Sequence, residues 1–252
     1  VSRYIKFAGL VAILAITAFA QSSGNFTYGT QTSNKNGTCS LMTNGHIAGG
    51  EQCVSSCTIN ALGVSSCTTQ SGTCMGHAVA GIKTNSGSGN IFNVVVSAVI
   101  GLLTDVTVSS KQAGSTLGAV SSSALAGANF QVTATDPSGN PVNNVIPSYP
   151  VTFDSRYIEI STNLFQALAT ACAPATGIIT DPLGCFITFN ESTVSAHTYQ
   201  FLIPQLTTGT YTITTSWSDT TGGTGISQSL VCVSDVVETV QQNKIFKFNT
   251  IN

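Results

Sequence analysis

QVTATDPSGNPVNNVIPSYPVTF, residues 131–153, decides how this chain is read. Val132 and Ala134 alternate with Gln131, Thr133 and Thr135, the period of a strand with one buried face. Asp136, Pro137, Ser138 and Gly139 follow. Proline in the second place and glycine in the fourth make this a tight turn. Similar runs lie on either side. They are ANFQVTAT (128–135), NPVNNV (140–145), YPVTF (149–153), CFITF (185–189), TYQFLI (198–203), GTYTITTSW (209–217) and ISQSLVCV (226–233). Roughly seven short strands separated by turn signals predict a mainly β fold, a β-sandwich. An insertion at 162–182 interrupts them, and residues 164–171 within it can form a helix.

The 131–153 stretch resembles the opening of bacterial and archaeal immunoglobulin-like surface domains. There a strand, a D-x-x-G-N-P-V turn and a V-x-F strand follow one another. LTTGTYTITTSW (206–217) is similar to that family's later G-T-Y strand. The resemblance covers residues 121–233. It implies an immunoglobulin-like sandwich in an adhesin, a cell-wall protein or a filament subunit, without catalysis.

Before residue 121 the style differs. Residues 21–38, QSSGNFTYGTQTSNKNGT, are polar and rich in glycine, and read as a linker or arm. Phe26 and Tyr28 alternate with polar neighbours, so a short strand can form there. Residues 39–120 form a Cys-rich region with buried strands. NIFNVVVSAVIGLLTDVTVSS (90–110) is its apolar peak. Asn93, Ser97, Thr104 and Asp105 exclude a membrane span, and the run reads as buried strands or a short core helix. Residues 121–252 make up the sandwich and a tail. In the tail, Phe246 and Phe248 share one face of a strand that closes its own sheet or completes a neighbour's edge.

Residues 1–20, VSRYIKFAGLVAILAITAFA, are the most one-sided stretch of the chain. A basic start, an apolar middle and Ala18-Phe19-Ala20 fit a secretory signal. A retained helix is the other reading. Ala8, Ala12 and Ala15 recur at spacings that let helix backbones approach, and Phe7, Leu10, Val11 and Leu14 fill the space between. An all-apolar helix must be buried on every side, and identical copies can supply that burial. Joined to a β-rich domain, such a segment resembles type IV-like pilins in architecture.

Eight cysteines in an exported chain point to disulfides: Cys39, Cys53, Cys57, Cys67, Cys74, Cys172, Cys185 and Cys232. Cys172 and Cys185 enclose a Pro/Gly-rich loop and are expected to pair. The first five are odd in number, so full pairing then requires one bridge from that cluster to Cys232. Zinc spacing is absent, and neither a metal nor a cofactor is expected. Asn25, Asn36 and Asn190 fit the glycosylation tripeptide.

Charged residues are scarce: 8 basic and 10 acidic in 252, with a net charge of −2. No basic patch exists, so nucleic acid is not a partner. Such a surface repels its own copies weakly. None of the common catalytic motifs occurs. His46, His77 and His197 are far apart in sequence, and His197 is expected beside a strand, at the surface. The expectation is a non-enzymatic structural subunit of an extracellular, pilus-like filament that polymerises through residues 1–20. Its partners are identical copies and surface glycans, with membrane contact confined to export or assembly. The alternatives are a secreted adhesin or carbohydrate-binding module, or an S-layer or sheath component.

Overall fold

The run at residues 90–110 is one long strand. In a computed structural model, β7 spans Asn90–Ser109 without interruption. Val94, Val96, Ala98, Ile100 and Leu102 face one side and are fully or almost fully buried. On the other side Leu103 and Val99 pack beneath a small hairpin. A strand covered on both faces reads as a continuous apolar run, which is why periodicity could not separate it from helix. The structure describes residues 25–31, 37–60, 64–69, 74–85, 89–109, 121–161 and 186–244.

The other strands in chain order are β1 (Phe26–Thr30), β2 (Ser40–Leu41), β3 (Ile47–Ala48), β4 (Glu51–Ile59), β5 (Ser65–Thr69) and β6 (Met75–Lys83). After β7 come β8 (Ser122–Thr135), β9 (Val151–Ile160), β10 (Phe186–Leu206), β11 (Thr210–Thr224) and β12 (Ile226–Lys244). Every sheet pairing among them is antiparallel. One sheet has the order β10-β7-β12-β4-β5, with β1 also on β12. A second has the order β6-β11-β8-β9, and β2 and β3 form the separate hairpin.

The two large sheets share one apolar core, a sandwich-like arrangement. Val94, Val96, Ile100, Phe201, Val231 and Val240 from one sheet meet Ala126, Phe130, Val132, Ile213 and Trp217 from the other. Phe130 stacks on Phe153 with centroids 4.1 Å apart, and Phe92 meets Tyr211 edge-on at 5.4 Å. Both sheets mix strands from before and after residue 120. β4 and β7 pair with β12, and β6 pairs with β11.

Several expectations shift in detail. Residues 26–30, read within a linker or arm, form β1 on the edge of β12. The turn at 136–139 forms as expected: Gly139 N donates to Asp136 O at 3.0 Å, and Asp136 Oδ1 accepts from Ser138 N and Asn140 N at 2.8 Å each. Residues 140–145 are not a strand, and only Pro141 bridges to Thr135. Residues 186–189 and 198–203 belong to one strand, β10, because the mostly polar Asn190 to Ser195 continue its ladder with β7. The helix expected in residues 1–20 and that of residues 164–171 lie outside the described residues, as do Phe246 and Phe248.

β12 solves a packing problem. β4 pairs with Ser227–Val233 and β1 with Val237–Gln241, both along the same edge. The register against β7 shifts between Ser234 and Val237, and Asp235 sits at φ +51°. Such a bulge bends the strand and lets two short partners share one edge.

Candidate functional site

On the outer face of the four-stranded sheet, side chains line up in two rows across three strands. Ser216 of β11 lies between His77 of β6 and Gln131 of β8. Ser218 lies between Met75 and Asn129. Strand alternation places all six on one face. With Pro150 they line a groove of about 370 Å³. Met75 is 77 % exposed. Two polar contacts fix the β8 side: Thr152 Oγ1 donates to Asn129 Oδ1 at 2.7 Å, and Gln131 Nε2 donates to Ser148 O at 3.4 Å.

Trp217 lies between the rows and points inward. Its indole stacks on Phe130, 5.8 Å between centroids, and fills the space left by the missing side chain of Gly76. Its Nε1–H is buried without a partner among the described residues. Chemically, the groove offers hydroxyls, amides and one imidazole beside the apolar faces of Met75 and Pro150. None of the described residues that line it carries a carboxylate.

A second polar cluster lies where β9 crosses β10. Ser195 Oγ is 2.7 Å from His197 Nε2, and Asp154 Oδ2 is 3.4 Å from each. These are the residue types of a nucleophilic triad, but both partners meet the same imidazole nitrogen. A relay needs the carboxylate on one nitrogen and the hydroxyl on the other. The cluster is therefore a hydrogen-bonded seam between sheets. Arg156 extends it, donating from Nη2 to Thr193 Oγ1 at 2.9 Å, with Nε 3.7 Å from Glu191. His197 lies within β10 and is half-buried, a correction to its expected place beside a strand at the surface. Sequence could not show the seam, because 41 residues separate Asp154 from Ser195.

Two carboxyls sit in the interior. Glu238 is fully buried, and its Oε2 accepts from Thr215 N at 3.0 Å. Burial pushes its carboxyl up to about 7, against the pull of that hydrogen bond. Burial, with the nearby Glu51 charge, pushes Asp219 up to about 8. Neither oxygen of Asp219 has a hydrogen-bond partner among the described residues.

Among the described residues three disulfides are present: Cys39–Cys232, Cys53–Cys74 and Cys57–Cys67. They place the chain in an oxidising compartment. Cys39–Cys232 ties the β2–β3 hairpin over β12 across 193 residues. Cys172 and Cys185 lie outside the described residues, as do Asn36 and the expected assembly residues Phe7, Ala8, Leu10, Val11, Ala12, Leu14 and Ala15. Asn190 is exposed on β10, and its Nδ2 donates to Asp105 at 3.3 Å. Asn25 Nδ2 donates to Lys83 O and to Asn85 Oδ1. Among the described residues no group of His, Cys, Asp and Glu is arranged to hold a metal, and no helix is long and apolar enough to cross a membrane.

No protein-family model matches the chain, and no curated protein matches it. Among solved structures, it is similar to an Arthrobacter globiformis isomalto-dextranase complexed with panose, at 11% identity and TM-score 0.22. That match covers 76% of this chain, which spans about a fifth (21%) of the dextranase. TmCBM61 in complex with β-1,4-galactotriose matches at 13% identity and TM-score 0.15, over 68% of this chain and 65% of that one. A carbohydrate-binding module of Cellvibrio mixtus lichenase 5A, in complex with cellotriose, matches at 10% and 0.17, over 86% and 96%. Overlaps this loose decide neither fold nor function.

Proposed function

We propose that this chain is an extracellular, non-catalytic recognition module that holds a neutral glycan on the outer face of its four-stranded sheet. The observation that carries the reading is the groove. Ser216, Ser218, Asn129, Gln131 and His77 present donors and acceptors in two rows beside Met75 and Pro150. A polyhydroxylated ring needs both: side chains for its hydroxyls and apolar faces for its C–H edges. The absence of charge from the lining favours uncharged sugars over uronic or sialic acids. The immunoglobulin-like surface-domain resemblance is part of this proposal, supported by the 136–139 turn between β8 and β9. Titration with a panel of neutral and acidic oligosaccharides tests it. Binding of neutral members that is lost in Asn129→Ala/Gln131→Ala is the expected result. No binding across the panel, or binding that the double variant keeps, sinks the proposal.

A second reading is a structural subunit of an extracellular, pilus-like filament. The apolarity of residues 1–20 favours it, since burial between copies yields roughly 1.5–3 kcal/mol for each large side chain. Electron microscopy of the purified chain tests this, with Leu10→Asp expected to abolish any fibre.

A further inference from the structure

β10 is the outer strand of the six-stranded sheet and 21 residues long. Among the described residues it pairs with β7 and, at one point, with Ile146. Leu202 exchanges both backbone hydrogen bonds with Ile146, at 2.8 and 2.9 Å, so its N–H and C=O turn away from β7. The register with β7 runs from Phe186 to Ile203 without a shift. Alternation then turns the N–H and C=O of every even-numbered residue from 188 to 200 the same way. Sheets ordinarily guard such an edge with lysine, proline, a bulge or brevity. FITFNESTVSAHTYQFLI (186–203) has no lysine, proline or glycine, and it exposes Phe189 and Tyr199.

We propose that this edge pairs with the same edge of a second copy, antiparallel, across a two-fold axis at Val194. In that register Glu191 faces His197 of the partner copy, a carboxylate opposite an imidazole. Phe189 faces the partner's Tyr199. Thr188 faces the partner's Gln200, so pairing stops just short of the position that Ile146 occupies. Axes one residue to either side put Glu191 opposite Ser195 or Tyr199 and lose the carboxylate–imidazole pair. The even-numbered residues then exchange their outward N–H and C=O groups, which have no backbone partner among the described residues, and the two six-stranded sheets become one continuous sheet. Because the contact is isologous, it closes at two copies. The inference is independent of the glycan groove, which lies on the other sheet, and its failure would leave that reading untouched.

Oxidative cross-linking of the purified full chain tests the register. Val194→Cys places a thiol on the axis opposite itself, and a covalent dimer is expected at least tenfold faster than with Ala196→Cys, whose thiols lie apart. Sedimentation of the unmodified chain is expected to show a concentration-dependent dimer. Thr198→Pro and Ser192→Pro each remove an outward N–H while leaving the β7 ladder whole. Each is expected to weaken the dimer at least tenfold while circular dichroism shows the fold retained. A chain that stays monomeric, a dimer indifferent to both prolines, or equal cross-linking at 194 and 196 overturns the proposal.

Discussion

Trp217 occupies the volume in which any side chain at Gly76 would lie: a β-carbon built there would fall inside van der Waals contact with three carbons of the indole. Gly76→Ala must therefore push the ring off Phe130 or bend β6. Overpacking of this kind costs about 1–3 kcal/mol. The chain has one tryptophan, so its fluorescence reports the site directly. A lowered melting temperature with a shifted emission maximum is the expected outcome. Unchanged emission would show that the indole is not held there.

Gly50 stands in the same relation to a disulfide. Its φ is +56°, and an added β-carbon would lie 2.5 Å from the sulfurs of both Cys39 and Cys232. Gly50→Ala is expected to slow oxidative formation of this bridge, read by thiol alkylation during refolding. Removing the bridge with Cys39→Ser/Cys232→Ser releases a loop of 193 residues. Loop-closure entropy for that length amounts to about 5 kcal/mol, an upper value for the loss seen in denaturant unfolding.

Glu238 and Asp219 give stability a definite slope with pH. Their folded values, about 7 and about 8, lie above the ordinary carboxylate values of 4.5 and 3.8. Between those limits the folded chain binds more protons than the unfolded chain, so stability falls as pH rises. It is full near pH 4, declines through neutrality and levels off above about pH 8. For Glu238 the loss between pH 5 and pH 8 is roughly 2–3 kcal/mol. Glu238→Gln removes that share of the slope, and Asp219→Asn removes more. Urea titrations at the two pH values measure it; a wild-type chain equally stable at both contradicts the burial of these charges.

In the groove, Asn129→Ala and Gln131→Ala each delete one set of hydrogen bonds to a bound sugar. A net hydrogen bond is worth about 1 kcal/mol, so each variant is expected to bind roughly fivefold more weakly. Calorimetry against the tightest neutral oligosaccharide checks this, with Glu159→Gln, outside the groove lining, as the unaffected control.

Much of the architecture was legible because alternation is local. β8, the turn after it and β11 follow from Val132, Ala134, Gly139, Tyr211 and Ile213 read in order. β7 resisted because its second face carries Val95, Val99 and Leu103, the last two packed near Ile47 and the 39–232 bridge, so the sequence runs apolar without the alternation that its burial shows. The change in composition near residue 120 marks no seam between sheets, since hydrogen bonding ties β4 and β7 to β12 across it. The groove was illegible for a related reason. Met75, Asn129 and Ser218 come from three strands distant in sequence, and only the registers of β6 and β8 on β11 set them in one row. Cysteine parity did carry across that distance, because counting needs no geometry: the cluster of five needed one outside partner, and Cys39 bonds to Cys232.

β12 is the last described strand to be made, yet it sits inside its sheet, between β7 on one side and β4 and β1 on the other. The six-stranded sheet therefore cannot be completed in order of synthesis. Until residues 226–244 have emerged, β7 and β4 each lack one neighbour and, among the described strands, β1 has none to pair with. Cys57 and Cys67 can join as soon as β4 and β5 meet, whereas Cys39 must wait, unpaired, until Cys232 arrives with β12.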